Sequence, residues 1–182
     1  MGAVRRASIV LCLVALAGCG EERKTPGDVA HADAPSGFRE TTVDRVTFSR
    51  PSNWSDLQPA PPMAGGVRSK TATVAVWRYP RTEPLPTDAA ALEQARTALL
   101  DRVRQRNPTF VVRSSEVTDL GGARGVELTG RQTVAGFIVD VRSAHVFDDG
   151  AEVVVDAYAP PGDFARVDRT VFARLIASLK VR

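Results

Sequence analysis

Ser143 and His145 are the two side chains whose types and spacing could perform nucleophilic chemistry. They stand two residues apart in an alternating stretch, so a strand would present both on one face. A hydrolase of this kind also needs a carboxylate that orients the imidazole. The hairpin register predicted below sends Asp140 and Asp156 through the opposite face. We therefore expect His145 to be a half-buried strand residue and the chain not to be an enzyme, with a hydrolase using His145 as an alternative.

The sequence predicts neither a metal site nor a cofactor. The histidines His31 and His145 are far apart in the chain, and the cysteines Cys12 and Cys19 both lie near its start. Zinc sites draw closely spaced ligands from these residue types. The acidic residues follow no calcium-loop pattern, and no glycine-rich stretch has the spacing of a phosphate loop.

Aromatic and basic residues suggest one ligand cleft. Trp54, Trp77 and Tyr79, together with Arg78, could line a cleft beside a proline-rich loop. Aromatic faces and guanidinium groups suit an anionic or sugar-bearing ligand, such as a lipid or a glycan. Packing in the core explains the same aromatic residues. Both interpretations stay open at this point.

The N-terminal stretch has the composition of an export signal. Arg5 and Arg6 precede an apolar run that is too short to span the ~30 Å hydrocarbon layer of a bilayer. The run ends at Leu16-Ala17-Gly18-Cys19, which resembles the lipobox of bacterial lipoproteins. The resemblance implies cleavage before Cys19, lipidation of Cys19 with chains such as palmitate, and a domain held on the extracytoplasmic face of the cell membrane. An ordinary secreted protein and a retained N-terminal anchor are the alternatives.

Length and charge indicate one folded domain that follows a short flexible tether. Residues 1–18 would be the signal peptide, 19–37 the lipidated cysteine and a flexible tether, and 38–182 the folded domain. The stretch 20–37 is charged and rich in Ala, Gly and Pro, so it has little to bury. Loss of the signal leaves 22 basic against 21 acidic residues. This balance argues against nucleic acid as a partner.

Hydrophobic periodicity divides the domain into strands and two helices. It predicts strands at 42–49, 71–79, 109–117, 125–128, 133–147 and 151–159, and helices at 87–107 and from Asp163, as the cap, to 179. The prolines and glycines of 57–66 predict an exposed loop. A three-residue loop at 148–150 would pair Ser143 with Val155 and His145 with Val153.

This order of elements resembles the PsbP-like fold, including the LpqN-type lipoproteins. The matching pieces are 48–54, 121–128, the 148–150 hairpin and 172–179. The resemblance implies an α+β domain in which helices flank an antiparallel sheet as an α/β/α sandwich. It also implies a non-catalytic, membrane-anchored lipoprotein that binds a protein partner or assists an envelope complex. A lipoprotein that binds a small ligand is the alternative binding function.

Overall fold

The computed structural model describes residues 30–148 and 150–181. In chain order the strands and helices of this part are β1 (Phe38–Val43), β2 (Val46–Pro51), β3 (Ser55–Asp56), β4 (Met63–Ser69), β5 (Ala72–Pro80), α1 (Ala89–Arg106), β6 (Val111–Leu120), β7 (Ala123–Val134), β8 (Phe137–Asp148), β9 (Ala151–Ala159), α2 (Pro161–Val167), α3 (Ala173–Ala177) and β10 (Lys180–Val181). A π-helical turn, Asp168–Phe172, joins α2 to α3, so the two form one C-terminal helix.

A seven-stranded antiparallel sheet organises the molecule, in the order β3-β4-β5-β9-β8-β7-β6. Helix α1 packs on one face of this sheet against β6 and β7. The C-terminal helix and a small sheet of β1, β2 and β10 cover the other face. The expected fold class, an α+β single domain with helices flanking an antiparallel sheet, is confirmed.

The larger core lies between the sheet and the C-terminal helix. Strand β9 supplies Val153 and Val155, and the helix supplies Val167, Val171 and Leu175, all essentially inaccessible to solvent. Burial of each such side chain contributes about 1.5–3 kcal/mol to folding. A smaller core, built on Leu99, Val126 and Leu128, lies beneath α1. Because α1 packs over β6 and β7, the same face of the sheet at β5 and β9 forms the floor of an open trough beside the helix.

The last residues of the predicted tether lie against the domain. The amide of Ala32 donates to Asp163 Oδ2 at 2.7 Å, and Arg166 donates to the carbonyl of Ala32 at 2.6 Å. Trp54 Nε1 donates to the carbonyl of Asp33 at 3.1 Å. The prediction of a free tether up to residue 37 is therefore wrong. The prediction that Asp163 caps a helix is wrong as well. The Asp163 carboxylate binds residue 32 instead, and α2 begins without a side-chain cap.

Several predicted boundaries also shift. The single strand predicted at 42–49 is the end of β1, a turn and most of β2. The strand predicted at 133–147 is two strands, because Ala135 and Gly136 take positive φ angles of 49° and 83° and form a tight turn. The loop predicted at 57–66 ends early, and β4 already begins at Met63. Within β4, only glycine fits at position 66, because a Cβ there would stand 2.2 Å from the carbonyl oxygen of Val74. The glycines that suggested a loop thus permit close approach of two strands.

Candidate functional site

The register of β8 and β9 decides which polar side chains share the sheet face under α1. Asp148 pairs with Ala151, so Ser143 stands opposite Asp156 and His145 opposite Val154. This is one residue away from the predicted pairing with Val155 and Val153. The prediction that Asp156 points through the opposite face is therefore wrong. Since residues two apart on a strand share a face, Glu152 lies on it as well.

These four side chains form one hydrogen-bonded row, Glu152–His145–Ser143–Asp156. Glu152 Oε1 lies 2.8 Å from His145 Nδ1, and His145 Nε2 lies 3.1 Å from Ser143 Oγ. Ser143 Oγ is in turn 2.5 Å from Asp156 Oδ1. Glu152, His145 and Ser143 are each only 6% exposed. The row therefore forms a polar floor beneath the trough.

Burial controls the protonation of this floor. Burial, reinforced by the positive charges of Arg102 and Arg81, lowers the pKa of His145 to about 3, so the imidazole is neutral at pH 7. Burial also raises the pKa of Asp156, and hydrogen bonds with Ser143 and Tyr158 oppose that shift. Both shifts favour the uncharged form of the group.

Hydrogen bonds connect the floor to an arginine at its edge. Arg81 donates to Glu152 Oε2 and forms an ion pair with that carboxylate. Ser143 Oγ donates to Asp156 Oδ1, and this bond is one of those that oppose the rise in the pKa of Asp156. In the neutral imidazole of His145 one ring nitrogen donates and the other accepts, one facing Glu152 and the other Ser143.

The floor belongs to a cavity of about 310 Å³ between α1 and the sheet. Its volume lies at the lower end of small-ligand sites. The apolar part of the wall consists of Leu99, Val103, Phe110, Leu128, Val141 and Val154. Tyr79 and Tyr158 add aromatic rings that carry hydroxyl groups. Burial raises the pKa of Tyr158, so this hydroxyl stays protonated.

Three arginines line the rim of the same cavity. Arg81 pairs with Glu152, while Arg102 and Arg106 project from the second half of α1 and are exposed. Guanidinium groups bind carboxylates and phosphates in bidentate geometry. The cavity can therefore take an anionic group at the rim and an apolar body against the wall.

The structure separates the four residues predicted to share a cleft. Tyr79 lines the cavity, and Trp77 lies on the same sheet face without reaching its wall. Trp54 is 3% exposed and belongs to the core on the other side of the sheet. Arg78 alternates with Trp77 and so faces away from the cavity.

Other expectations concern the anchor and metals. Cys19, the predicted lipidation site, lies outside the described residues. Within residues 30–148 and 150–181, no helix combines the length and the apolar character that a membrane span requires. The same residues contain no group of three or more His, Cys, Asp or Glu side chains arranged to hold a metal ion.

Sequence reasoning missed Glu152, Asp156, Arg102 and Arg106 as members of one site. One signal could have found the first two. An Asp-Gly pair between alternating strands is the strongest short-range signal for a two-residue hairpin loop. That loop gives the observed register and places Glu152 and Asp156 on the face of His145. The arginines carried no such signal, because basic residues near a helix C-terminus are common on solvated faces.

Comparison with known proteins gives matches in structure only. No family model matches the chain, and no curated protein matches it in sequence. The solution structure of cyanobacterial PsbP from Synechocystis has a TM-score of 0.60 at 15% identity, covering 86% of this chain and 96% of that one.

Two further solved structures are similar. LpqN of Mycobacterium tuberculosis has a TM-score of 0.53 at 17% identity, over 79% of this chain and 91% of its own. A Pseudomonas aeruginosa protein of unknown function has a TM-score of 0.51 at 13% identity, over 80% and 97%. At such identities the likeness is one of fold, and the fold of this chain is PsbP-like.

Proposed function

We propose that this chain is a lipid-anchored, non-catalytic protein on the extracytoplasmic face of the cell membrane that binds a small anionic ligand with an apolar body. The cavity under α1 is the observation that carries the binding function. Its rim offers the guanidinium groups of Arg102 and Arg106, and its wall is largely apolar. Its floor donates and accepts hydrogen bonds while holding little charge.

Other observations support the envelope setting. The lipobox-like stretch that ends at Cys19 supports the lipid anchor. LpqN, with a similar fold, is described as involved in cell envelope biogenesis. In this proposal the ligand-loaded domain serves an envelope complex as an accessory, which requires a protein partner. Crosslinking in intact cells, followed by affinity capture of the lipidated chain, should return the same envelope protein in replicate experiments.

Calorimetric titration tests the ligand class. Dodecyl phosphate below its micelle concentration should bind, whereas inorganic phosphate and dodecanol should bind much more weakly, because each offers only half of the contacts. Arg102→Gln with Arg106→Gln should weaken binding of dodecyl phosphate about tenfold or more, since a charged hydrogen bond is worth about 1.5–3 kcal/mol.

Arg104→Gln is the matched control. Arg104 lies on the same helix, has a side chain that is 61% exposed and does not line the cavity. Its replacement changes the net charge by one but should leave the affinity unchanged. Equal affinity of the double variant and the wild type, or no binding by the wild type, would remove the cavity as the ligand site.

The row of hydrogen bonds favours one second function, acyl hydrolysis. Glu152, His145 and Ser143 have the order and distances of an acid, a base and a nucleophile. Two features oppose it. Ser143 also bonds Asp156, and its main chain pairs with strands on both sides, which leaves no free amide there for an oxyanion.

Labelling with a fluorophosphonate decides between binding and hydrolysis. We expect no labelling of the wild-type chain. Covalent modification of Ser143 that is lost in His145→Ala would replace the binding function with a hydrolase.

A further inference from the structure

The β7–β8 hairpin carries an apolar tip. Among the described residues, the strongly exposed large apolar side chains are Val111, Val134, Phe137 and Ile138, at 64%, 46%, 55% and 57% exposure. Val134 pairs with Phe137 across the turn, and Val111 begins the neighbouring strand β6 opposite Arg131. We call these four residues the apolar tip. Exposed apolar side chains gathered in one place commonly mark a contact site.

The shape of the tip suits insertion better than flat docking. Phe137 and Ile138 are consecutive in β8, so their side chains point to opposite faces of the hairpin. A flat protein interface would use one face. A hairpin that is apolar on both faces can bury all of its apolar side chains only when it is surrounded by an apolar medium. The acyl region of a bilayer is such a medium.

The position of the tip relative to the N-terminal segment points to the same medium. Asp140 pairs with Ala159, and Tyr158 pairs with Thr73, so the tip and the start of β5 lie at the same end of the sheet. Thr71 in the preceding turn donates to the carbonyl of Ala30 at 2.9 Å. The described chain thus begins at the end of the sheet that carries the tip.

The length of the remaining chain allows both contacts at once. Ten residues separate Cys19 from Ala30. Fully extended, the eleven steps between them span at most about 38 Å. A lipid on Cys19 would therefore hold this end of the domain near the bilayer surface, within reach of the apolar tip.

The charges around the tip favour anionic lipid. Arg131 binds the carboxylate of Asp140 at 2.7 Å, and Arg113 binds it at 3.1 Å. One buried carboxylate thus faces two guanidinium groups, and the side chains of Arg131 and Arg113 remain 41% and 46% exposed. This arrangement leaves an excess positive charge beside the hairpin. Positive groups near an anionic surface strengthen binding, and added salt screens them.

From these observations we propose that the apolar tip inserts into a bilayer with anionic headgroups and that it orients the domain on the membrane. This inference rests on the proposed lipid anchor for its location in the cell. The tip is then a second membrane contact beside the lipid on Cys19. The rim of the cavity near Asn107 and Phe110 would also lie toward the lipid, since Thr133 of the hairpin donates to Thr109 at 3.2 Å.

Vesicle flotation of the mature chain with Cys19→Ser tests the tip without any acyl group. This parent protein should float with phosphatidylglycerol-containing vesicles, less so at high salt, and poorly with purely zwitterionic vesicles. Phe137→Ser with Ile138→Ser should reduce partitioning at least about tenfold, because two apolar side chains lose their burial in lipid. Both residues are more than half exposed, so the fold should persist, as circular dichroism would verify.

Gln105→Ser is the matched control, an exposed polar residue at the same end of the domain that should leave partitioning unchanged. Phe137→Trp should show a blue-shifted emission and quenching by brominated lipid. Equal flotation of the parent and the tip variant overturns the proposal, as does crosslinking of position 137 to an envelope protein with no vesicle binding. Palmitate labelling of the wild type reports on the anchor separately, so the two proposals can fail independently.

Discussion

At the scale of single residues, the floor of the cavity shows how a protein can bury four ionisable or polar groups with little net charge. Burying an isolated charge costs far more than burying a hydrogen-bonded neutral group. Burial lowers the pKa of His145 and raises the pKa of Asp156, so both shifts favour the neutral form of the group. Glu152 forms an ion pair with Arg81.

Two substitutions should separate these opposing proton equilibria. In His145→Gln the raised pKa of Asp156 remains: the folded chain keeps a proton that the unfolded chain releases above about pH 4. The free energy of unfolding should then fall as the pH rises from about 4. In Asp156→Asn the lowered pKa of His145 remains: below about pH 6.5 the unfolded chain takes up a proton that the folded chain refuses, down to about pH 3. The free energy of unfolding should then fall as the pH drops through this window.

Urea titrations at a series of pH values measure both effects. Each slope is limited to about 1.4 kcal/mol per pH unit for one proton. In the wild type the two effects oppose each other where their windows overlap, so its profile should be flatter than that of either variant. Identical profiles for the two variants would contradict the opposite pKa shifts of His145 and Asp156.

At the scale of elements, hydrophobic periodicity predicted the helices and strands whose formation depends on the local sequence. Helix α1 lies inside its predicted range, with Asp88 as the N-cap, and β5 and β9 match the predicted strands within a residue. The site was not predicted, because its membership depends on a hairpin loop that is one residue shorter than expected. A shift of one residue moves a side chain to the other face of a sheet. Contacts between distant segments, such as Ala32 with Asp163, leave no periodic signal at all.

The contact of Asp163 with the N-terminal segment should be measurable as stability. Asp163→Ala would leave the buried amide of Ala32 without its acceptor and remove the partner of Arg166. Loss of hydrogen bonds to a buried carboxylate costs about 2–3 kcal/mol. Chemical unfolding should show this decrease. Asp101→Ala removes an exposed ion pair with Arg104 and should change stability by less than about 0.5 kcal/mol; equal effects of the two substitutions would refute a structural role for the N-terminal contact.

At the scale of the whole molecule, the two faces of the seven-stranded sheet have different roles. The face under the C-terminal helix holds the larger core, and the face under α1 holds the cavity. The apolar tip, the C-terminal end of α1 and the start of the described chain all lie at one end. In the proposed orientation this end meets the membrane, and the β8–β9 turn points away from it.

The anchor itself gives the prediction at this scale. Cells grown with labelled palmitate should incorporate label into the wild-type chain, and Cys19→Ser should abolish incorporation because the thiol is the only attachment point in the lipobox. The unlipidated chain should move from the membrane fraction toward the soluble fraction, in part only, since the apolar tip remains. An unlabelled wild-type chain would leave the lipid anchor without support.

Because of the π-helical turn at Asp168–Phe172, the packing of α3 on the sheet depends on the number of residues in the C-terminal helix. A π turn accommodates one residue more than an α turn. Removing a single residue from it would return the turn to α-helical geometry and keep Leu175 and Ile176, both buried, against the sheet. Removing a residue from the regular α-helical turns on either side would instead rotate everything that follows by about 100°. A chain that shares this architecture without the bulge must carry its final apolar stripe one position earlier, a phase difference that is visible from sequence alone.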